Sequence, residues 1–448
     1  MENKYGNTKM KICINFFRLI MAVGIFVSVA ATAADAQPGD VAPQTSKGAR
    51  AKAVIEIWLW GGPSHLETFD PKPDAGYDYN GGFKAIQTNV PGIEISEFLP
   101  KLAGQADKFS IIRSMTHGNN GHETATYLMQ TGREPGGKVF PCIGAVIGMM
   151  KGYDYGYSGK IPPYIVLTTA KGRFSEIGFL NPKYKPLVTG GDPNANVFAV
   201  EGIVNAGVTK EQQNKNREFL KTIDRLGSFV TSGGEFGKFD SSGDEAYNLI
   251  AGEAGSVFDL SRETKEMRDL YGRNWFGQSC LAARRLVEYG VPYVTINFSG
   301  WDSHKRHFQT MRNKLSQLDQ GLSALLQDLH DRGLLDSTIV WCSGEFGRQP
   351  KVSWDSPWNG GRQHYGKCFS TLVAGGGFKG GCAVGKSDDK AENPVERPVW
   401  PQDFLGSIYE LMGINPDAKM PNPMGEDIKI MPPESKSGRL REIYESKP

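Results

Sequence analysis

"VPYVTINFSGWDSHKRHFQTMRNKLSQLDQGLSALLQDLHDRGLLDSTIVWCSGEFGR", residues 291–348, carries the fold in outline. An apolar, β-branched run, VPYVTINF, stops at Ser299 and Gly300. A loop holding Trp301, Asp302, His304 and His307 follows, then helical apolar spacing through TMRNKLSQLDQGLSALLQDLHDRG and a second apolar run, STIVWCSG. Runs that are apolar along their whole length predict strands buried on both faces. Strands of that kind alternating with helices imply a mainly parallel sheet with helices on both sides.

The pattern repeats along the chain. AVIEIWLW (53–60) reads as a buried strand and breaks into the turn-rich GGPSHLETFDPKPDAG. KFSIIRSM runs into THGNNGHETATYLMQTG, where Gly and Asn precede a helical stretch, and PPYIVLTT and CFSTLVAGG are further strands. Helical spacing is expected over 209–226 and 244–290, with SCLAARRLVEYG closing at Gly290, and again over PQDFLGSIYELMG. Residues 171–205, rich in Gly, Pro and Asn, read as a long covering loop. The expected architecture is one α/β domain over 51–448.

The N-terminus reads differently. Lys4, Lys9, Lys11 and Arg18 precede an uncharged run from Leu19 to Ala34, and Ala34 to Ala36 have the A-x-A form of a cleavage site. The expectation is a Sec signal peptide over 1–36, cut before Gln37, then a linker over 37–50. The protein is thus expected to be exported, to a periplasmic or extracellular location. After leader removal no stretch reaches the ~20 apolar residues of a membrane span.

Composition narrows the classes. Of 448 residues, 39% are apolar and 22% charged, values of a well-cored globular protein. The four basic and two acidic residues of 1–36 account for the whole net charge of +2, so the remainder is neutral with scattered basic residues. That charge pattern argues against nucleic acid as a partner. Cys142, Cys280, Cys342, Cys368 and Cys382 show no C-x-x-C spacing, which excludes a disulfide framework or a zinc–cysteine site.

The chemistry gathers in the loops. Six of the seven histidines are His65, His117, His122, His304, His307 and His364, all beside predicted strand ends; His330 lies among charges on a helix. In open α/β sheets, loops beyond the carboxyl ends of strands line the ligand crevice. Asp302, His304, Glu345 and His364 supply the imidazole and carboxylate mixture that metal ions take from separate loops. Asp70 and His307 are candidates for orienting the ligating imidazoles. HETAT lacks the second histidine of H-E-x-x-H, since Thr126 stands there, and no G-x-S-x-G nucleophile elbow occurs.

Taken together, GGPSHLETFDPKP, HGNNGHETATYLMQTGR, GWDSH, GLLDSTIVWCSGEFGR, GRQHYGK and LVAGGGFKGG resemble the bacterial domain-of-unknown-function family 1501, over about residues 53 to 430. That family in turn resembles a branch of the alkaline phosphatase and sulfatase superfamily. The resemblance implies an alkaline-phosphatase-like sheet and a divalent metal (Zn, Ca, Mg or Mn). Glu345 and Phe346 fall where that superfamily has Asp-His, and His364 where a later histidine ligates metal. Counting ten back from Gly132 places His122 at the nucleophile position. Two departures stand out. Gly61 and Gly62 occupy the place of the first aspartate, and no Ser, Thr or Cys stands at the nucleophile position.

The implied function is an exported, metal-dependent hydrolase of small-molecule or glycan sulfate or phosphate esters. Water would attack directly, with His122, His117 or His65 as catalytic histidine, serving as general base or as nucleophile. Arg348 and Arg362 would bind the anion as a fork. The alternative is a secreted binding or scaffold protein that keeps the fold without the chemistry.

Overall fold

The computed structural model describes residues 50–170, 176–200 and 255–445. The expected leader and linker and the helix expected over 209–226 lie outside the described residues. So does the start of the one expected over 244–290. The described residues belong to one compact unit.

Eight strands make the main sheet: β1 (Ala53–Trp58), β2 (Phe109–Met115), β3 (Tyr164–Leu167), β4 (Leu187–Val188), β5 (Tyr293–Asn297), β6 (Thr338–Ser343), β7 (Phe369–Ala374) and β8 (Cys382–Val384). Their spatial order is β8-β2-β7-β6-β1-β5-β3-β4. β1 lies between β5 and β6, parallel to both, and β5–β3, β3–β4 and β8–β2 are also parallel. β7 alone runs against its neighbours β2 and β6. The mostly parallel α/β sheet is thus as expected.

Helices cover both faces. The principal ones are α1 (His122–Thr131), α2 (Ile143–Met150), α3 (Lys265–Tyr271), α4 (Trp275–Glu288), α5 (His307–Asp331) and α6 (Pro401–Leu411). Ile55 and Ile57 of β1 face a core with Leu281 and Leu286 of α4 and Leu318, Leu322 and Leu325 of α5. Val54 and Trp58 face the opposite core, with Ile143 and Ile147 of α2 and Phe404 and Ile408 of α6. Each such side chain contributes about 1.5–3 kcal/mol on leaving water. Alternating strand residues therefore serve two cores, which is why β1 reads as continuously apolar.

One residue of β1 breaks that rule. Glu56 is fully buried, accepting hydrogen bonds from Gln130 Nε2 (2.5 Å), Thr295 Oγ1 (2.8 Å) and Tyr293 Oη (3.0 Å). Burial pushes its carboxyl up to about 7, against the pull of these hydrogen bonds.

The register decides where the loops go. Trp58, the last residue of β1, pairs with Asn297 at the end of β5 and with Ser343 at the end of β6. Loops 59–70, 298–306 and 344–348 therefore emerge side by side. Because β7 is antiparallel, its first residue, Phe369, pairs with Met115 at the end of β2. The segment leading into β7 and the loop leaving β2 thus join the same edge. His364 comes to the carboxyl edge by preceding a reversed strand.

Candidate metal centre

Three imidazoles converge on one carboxylate. His122 stands at the first turn of α1, Asp302 and His304 in the loop after β5, and His364 in the segment before β7. His304 Nε2 lies 3.0 Å and His364 Nε2 3.1 Å from Asp302 Oδ1, and His122 Nε2 lies 3.3 Å from Asp302 Oδ2. The two Nε2 atoms of His304 and His364 are 2.9 Å apart. One ligand atom from each of His122, Asp302 and His364 falls within 4.8 Å of the others.

The far side of each ring fixes its proton. His364 Nδ1 faces the Asn120 carbonyl at 2.8 Å, His304 Nδ1 the Gln363 Oε1 at 2.8 Å, and His122 Nδ1 the Glu345 Oε1 at 2.6 Å. All three partners are acceptors, so Nδ1–H donates in each ring, and the neutral ring turns its Nε2 lone pair toward Asp302. Imidazoles anchored through one nitrogen by an acceptor, with the other nitrogen free, are the arrangement of metal-ligating histidines. Lone pairs of two rings facing each other beside a carboxylate repel unless a cation lies among them, so the donor set fits a metal ion. A proton on His122 would meet the same need. Hydrogen bonds to Asp302 and then Glu345 push His122 up to about 9. Burial acts to raise the Asp302 carboxyl, but hydrogen bonds with His122, His364 and Arg348 outweigh it and hold the group well below the usual carboxylate range.

Several expected residues take other places. Glu345, expected as a ligand, is fully buried behind His122; the Gly61 N–H donates to both its oxygens at 3.0 and 3.2 Å. It orients the imidazole and does not reach the convergence point. Arg348 donates to Asp302 Oδ1, to the Gly61 carbonyl, to the Gly62 carbonyl (3.0 Å) and to the Arg362 carbonyl (3.1 Å), so its fork is spent on the protein. Arg362 is sealed in further, donating to Glu67 (2.6 Å), the Gln349 carbonyl (2.9 Å) and the carbonyls of Pro350 and Tyr79. Neither guanidinium faces the cleft, because these loops need their own carbonyls capped. His307 is buried between Glu67 Oε2 (2.8 Å) and Ser303 Oγ (2.6 Å), touching no ligand. Asp70 touches no imidazole either; it holds Ser387, Lys72 (3.0 Å) and Arg113 (3.5 Å).

The other two histidines expected in catalysis are buried. His117 faces the Glu345 carbonyl at 2.7 Å and accepts the Asn119 N–H at 3.0 Å, and burial pushes it down to about 4. His65 faces the Ala391 carbonyl at 2.8 Å, and burial lowers it too. Both are shut off from solvent by packing.

Two glycines make the convergence possible. A Cβ on Gly61, whose φ is +113°, would lie 2.2 Å from the Asp302 nitrogen, and one on Gly62 would strike the Phe346 ring at 2.4 Å. Where the superfamily resemblance places an aspartate, this chain needs bare backbone so that three loops can close on one another. Asn120, Gln363 and Trp60, whose ring stacks on His122 at 5.5 Å, also shape the site. The run GRQHYGK pointed at Gln363 through its neighbour His364; Asn120 acts through its carbonyl, for which no side chain speaks.

Fold and donor set together define an α/β protein with a histidine–carboxylate centre at the carboxyl edge of its sheet. The chain belongs to the family described as Protein of unknown function (DUF1501), which it matches over residues 51–440, as the motifs led us to expect. No curated protein matches it. Among solved structures it is similar to the lipoteichoic acid synthase LtaP from Listeria monocytogenes, at 11% identity, covering 86% of this chain and 75% of that one, TM-score 0.38. It is also similar to a protein in the alkaline phosphatase superfamily from Vibrio parahaemolyticus, at 11% identity, covering 83% and 68%, TM-score 0.39. A third is a putative sulfatase from Bacteroides thetaiotaomicron, at 11% identity, covering 82% and 71%, TM-score 0.37. Among the described residues, no helix is long and apolar enough to cross a membrane.

Proposed function

We propose that the protein is an exported, metal-dependent hydrolase of sulfate or phosphate esters. The observation that carries this reading is the set of Nε2 lone pairs turned on Asp302, each imposed by an acceptor behind the ring. His122, Asp302 and His364 would hold the ion, with His304 beside them. Imidazoles with a single carboxylate suit zinc better than calcium or magnesium, which prefer all-oxygen shells. When bound, such an ion polarises the ester and activates water near neutral pH. The chain's own part is to fix the donors: Glu345 aligns His122, Asn120 aligns His364, Gln363 aligns His304, and Arg348 keeps Asp302 ionised. The Asp302 side chain is 40% exposed, so an anionic ester can approach from solvent.

Metal analysis of the purified protein, with turnover of aryl sulfates, phosphate monoesters and diesters, tests the reading. Bound metal that is lost together with activity in His364→Ala and Asp302→Ala is the expected result. Protein that binds none of Zn, Mn, Mg or Ca refutes it. The alternative, a binding protein without chemistry, is favoured by one observation: among the described residues no Ser, Thr or Cys side chain hydrogen-bonds to these donors. Metal binding with no turnover on any ester would select it.

A further inference from the structure

The three imidazoles form a row with an indole at each end. Ring centroids step from Trp60 to His122 (5.5 Å), to His364 (4.3 Å), to His304 (4.6 Å) and to Trp358 (6.2 Å). The two ends differ. Trp60 lies nearly flat on His122, 22° between planes, so one of its faces is spent on the ligand. Trp358 is tilted 46° from His304 and is 36% exposed, leaving its indole open to water beside the site.

A single exposed aromatic proves little. The backbone around Trp358, however, is held at a cost. Its N–H donates to the Asp355 carbonyl at 2.9 Å and its carbonyl accepts the Arg306 N–H at 3.4 Å. Arg306 has a φ of 49°, a left-handed conformation that a long side chain rarely adopts, and Asn359, the residue after Trp358, has a φ of 47°, which asparagine tolerates. A Cβ on Gly361 would lie 1.7 Å from the His304 carbonyl, so the loop carrying Trp358 is clamped directly onto the loop carrying His304. One strained residue, a left-handed asparagine and a close glycine approach thus set one exposed ring at a defined place next to the centre.

We propose that the indole of Trp358 seats a saccharide ring, so that the ester cleaved at the centre is a sugar sulfate or sugar phosphate. This deepens the hydrolase reading of the same centre and rests on it. The surroundings select the chemistry. Arg306, Asp355 and Asn359, all exposed, border Trp358 in the chain or through its backbone hydrogen bonds. An apolar plate bordered by a cation, an acid and an amide complements a ring with an apolar face, hydroxyl edges and an anionic substituent. A plain aryl group would use the plate and leave the rim unpaired. In the reaction the oxygen of water bonds to sulfur or phosphorus. The bond from that atom to the sugar oxygen breaks, with its electron pair going to the sugar oxygen. That oxygen takes up a proton given up by the water, leaving free sugar and inorganic sulfate or phosphate.

The test is binding of glucose 6-sulfate, galactose 6-sulfate and glucose 6-phosphate against methyl sulfate and methyl phosphate, by calorimetry and saturation-transfer NMR on the metal-loaded protein. Sugar esters are expected to bind more tightly than their methyl counterparts. Trp358→Ala is expected to weaken only the sugar esters, roughly tenfold, the scale of one lost aromatic face contact. Trp358→Phe retains most of the difference. The sulfate and phosphate arms show which anion is preferred. Equal binding of sugar and methyl esters to the wild type, or sugar binding unchanged in Trp358→Ala, overturns the proposal. Metal-loaded protein that binds the sugar esters through Trp358 and turns none of them over removes the hydrolase reading and leaves the saccharide seat standing.

Discussion

Replacing Glu56 by Gln should stabilise the protein at alkaline pH and hardly at all in mild acid. Glu56 is fully buried in β1, and burial raises its carboxyl from 4.5 to about 7 in the folded state. The sign follows from linkage. As pH rises past the ordinary value the unfolded chain releases this proton first, while the folded chain keeps it. The stability contributed by neutral Glu56 is therefore whole below about pH 4.5, and it is lost progressively as pH rises to about 7. A rise of that size corresponds to about 3 kcal/mol. Gln is neutral at every pH and nearly the same shape. Its carbonyl still accepts from Tyr293 and Thr295, and its NH2 can meet the Gln130 Oε1, which has no hydrogen-bond partner among the described residues. Urea unfolding of both proteins at about pH 5 and about pH 8 isolates the effect, because other titrating groups cancel in the double difference. The variant should gain about 3 kcal/mol over wild type at the higher pH and about 1 kcal/mol or less at the lower. A gap between the two proteins that is the same at both pH values would sink the reasoning.

Four further outcomes are expected. Glu345→Gln weakens the anchor of His122 without removing a donor, so zinc affinity by competitive chelation should fall about 10–100-fold while the fold is kept. Gly61→Ala, meeting the Asp302 backbone at 2.2 Å with φ at +113°, should cost at least about 2 kcal/mol in chemical denaturation and lower metal content with it. Glu67→Gln strips the partner of fully buried Arg362 and should cost about 3–5 kcal/mol, seen as a lower melting temperature; an unchanged midpoint refutes the ion-pair assignment. N-terminal sequencing of exported protein should begin at Gln37, and a start at Met1 ends the leader reading.

The strands legible in the sequence were those long enough to carry a run: β1, β2, β3, β5, β6 and β7. β4 and β8 have two and three residues and no run to read. α2, IGAVIGMM, escaped because its residues are almost all buried, so it has no polar face and no 3.6-residue rhythm. α5 begins at His307, three residues before its apolar spacing starts at Thr310. Residue type was enough to bring His122, Asp302, His304 and His364 into view as candidates, since few other side chains bind metal or move protons. Their division of labour was not legible. It depends on what lies behind each ring, and there the partners include a main-chain carbonyl and, behind Glu345, a glycine N–H. Arg348 and Arg362 misled for a related reason: an arginine in a cleft loop looks the same in sequence whether it faces solvent or its own backbone.

The reversed strand β7 also sets the timing of assembly. It lies inside the sheet, between β2 and β6, although it is the seventh of that sheet's eight strands in chain order. Until Phe369–Ala374 is made and inserted, nothing joins β2 to β6-β1-β5-β3-β4, and β8, the other neighbour of β2, is made later still. The nascent chain therefore carries β2, made by residue 115, without either of its sheet partners until residue 369, an exposed strand that invites pairing with other chains. The same insertion delivers His364. Closure of the sheet and completion of the donor set are one late, long-range event, so a slow folding step and the onset of metal affinity should coincide.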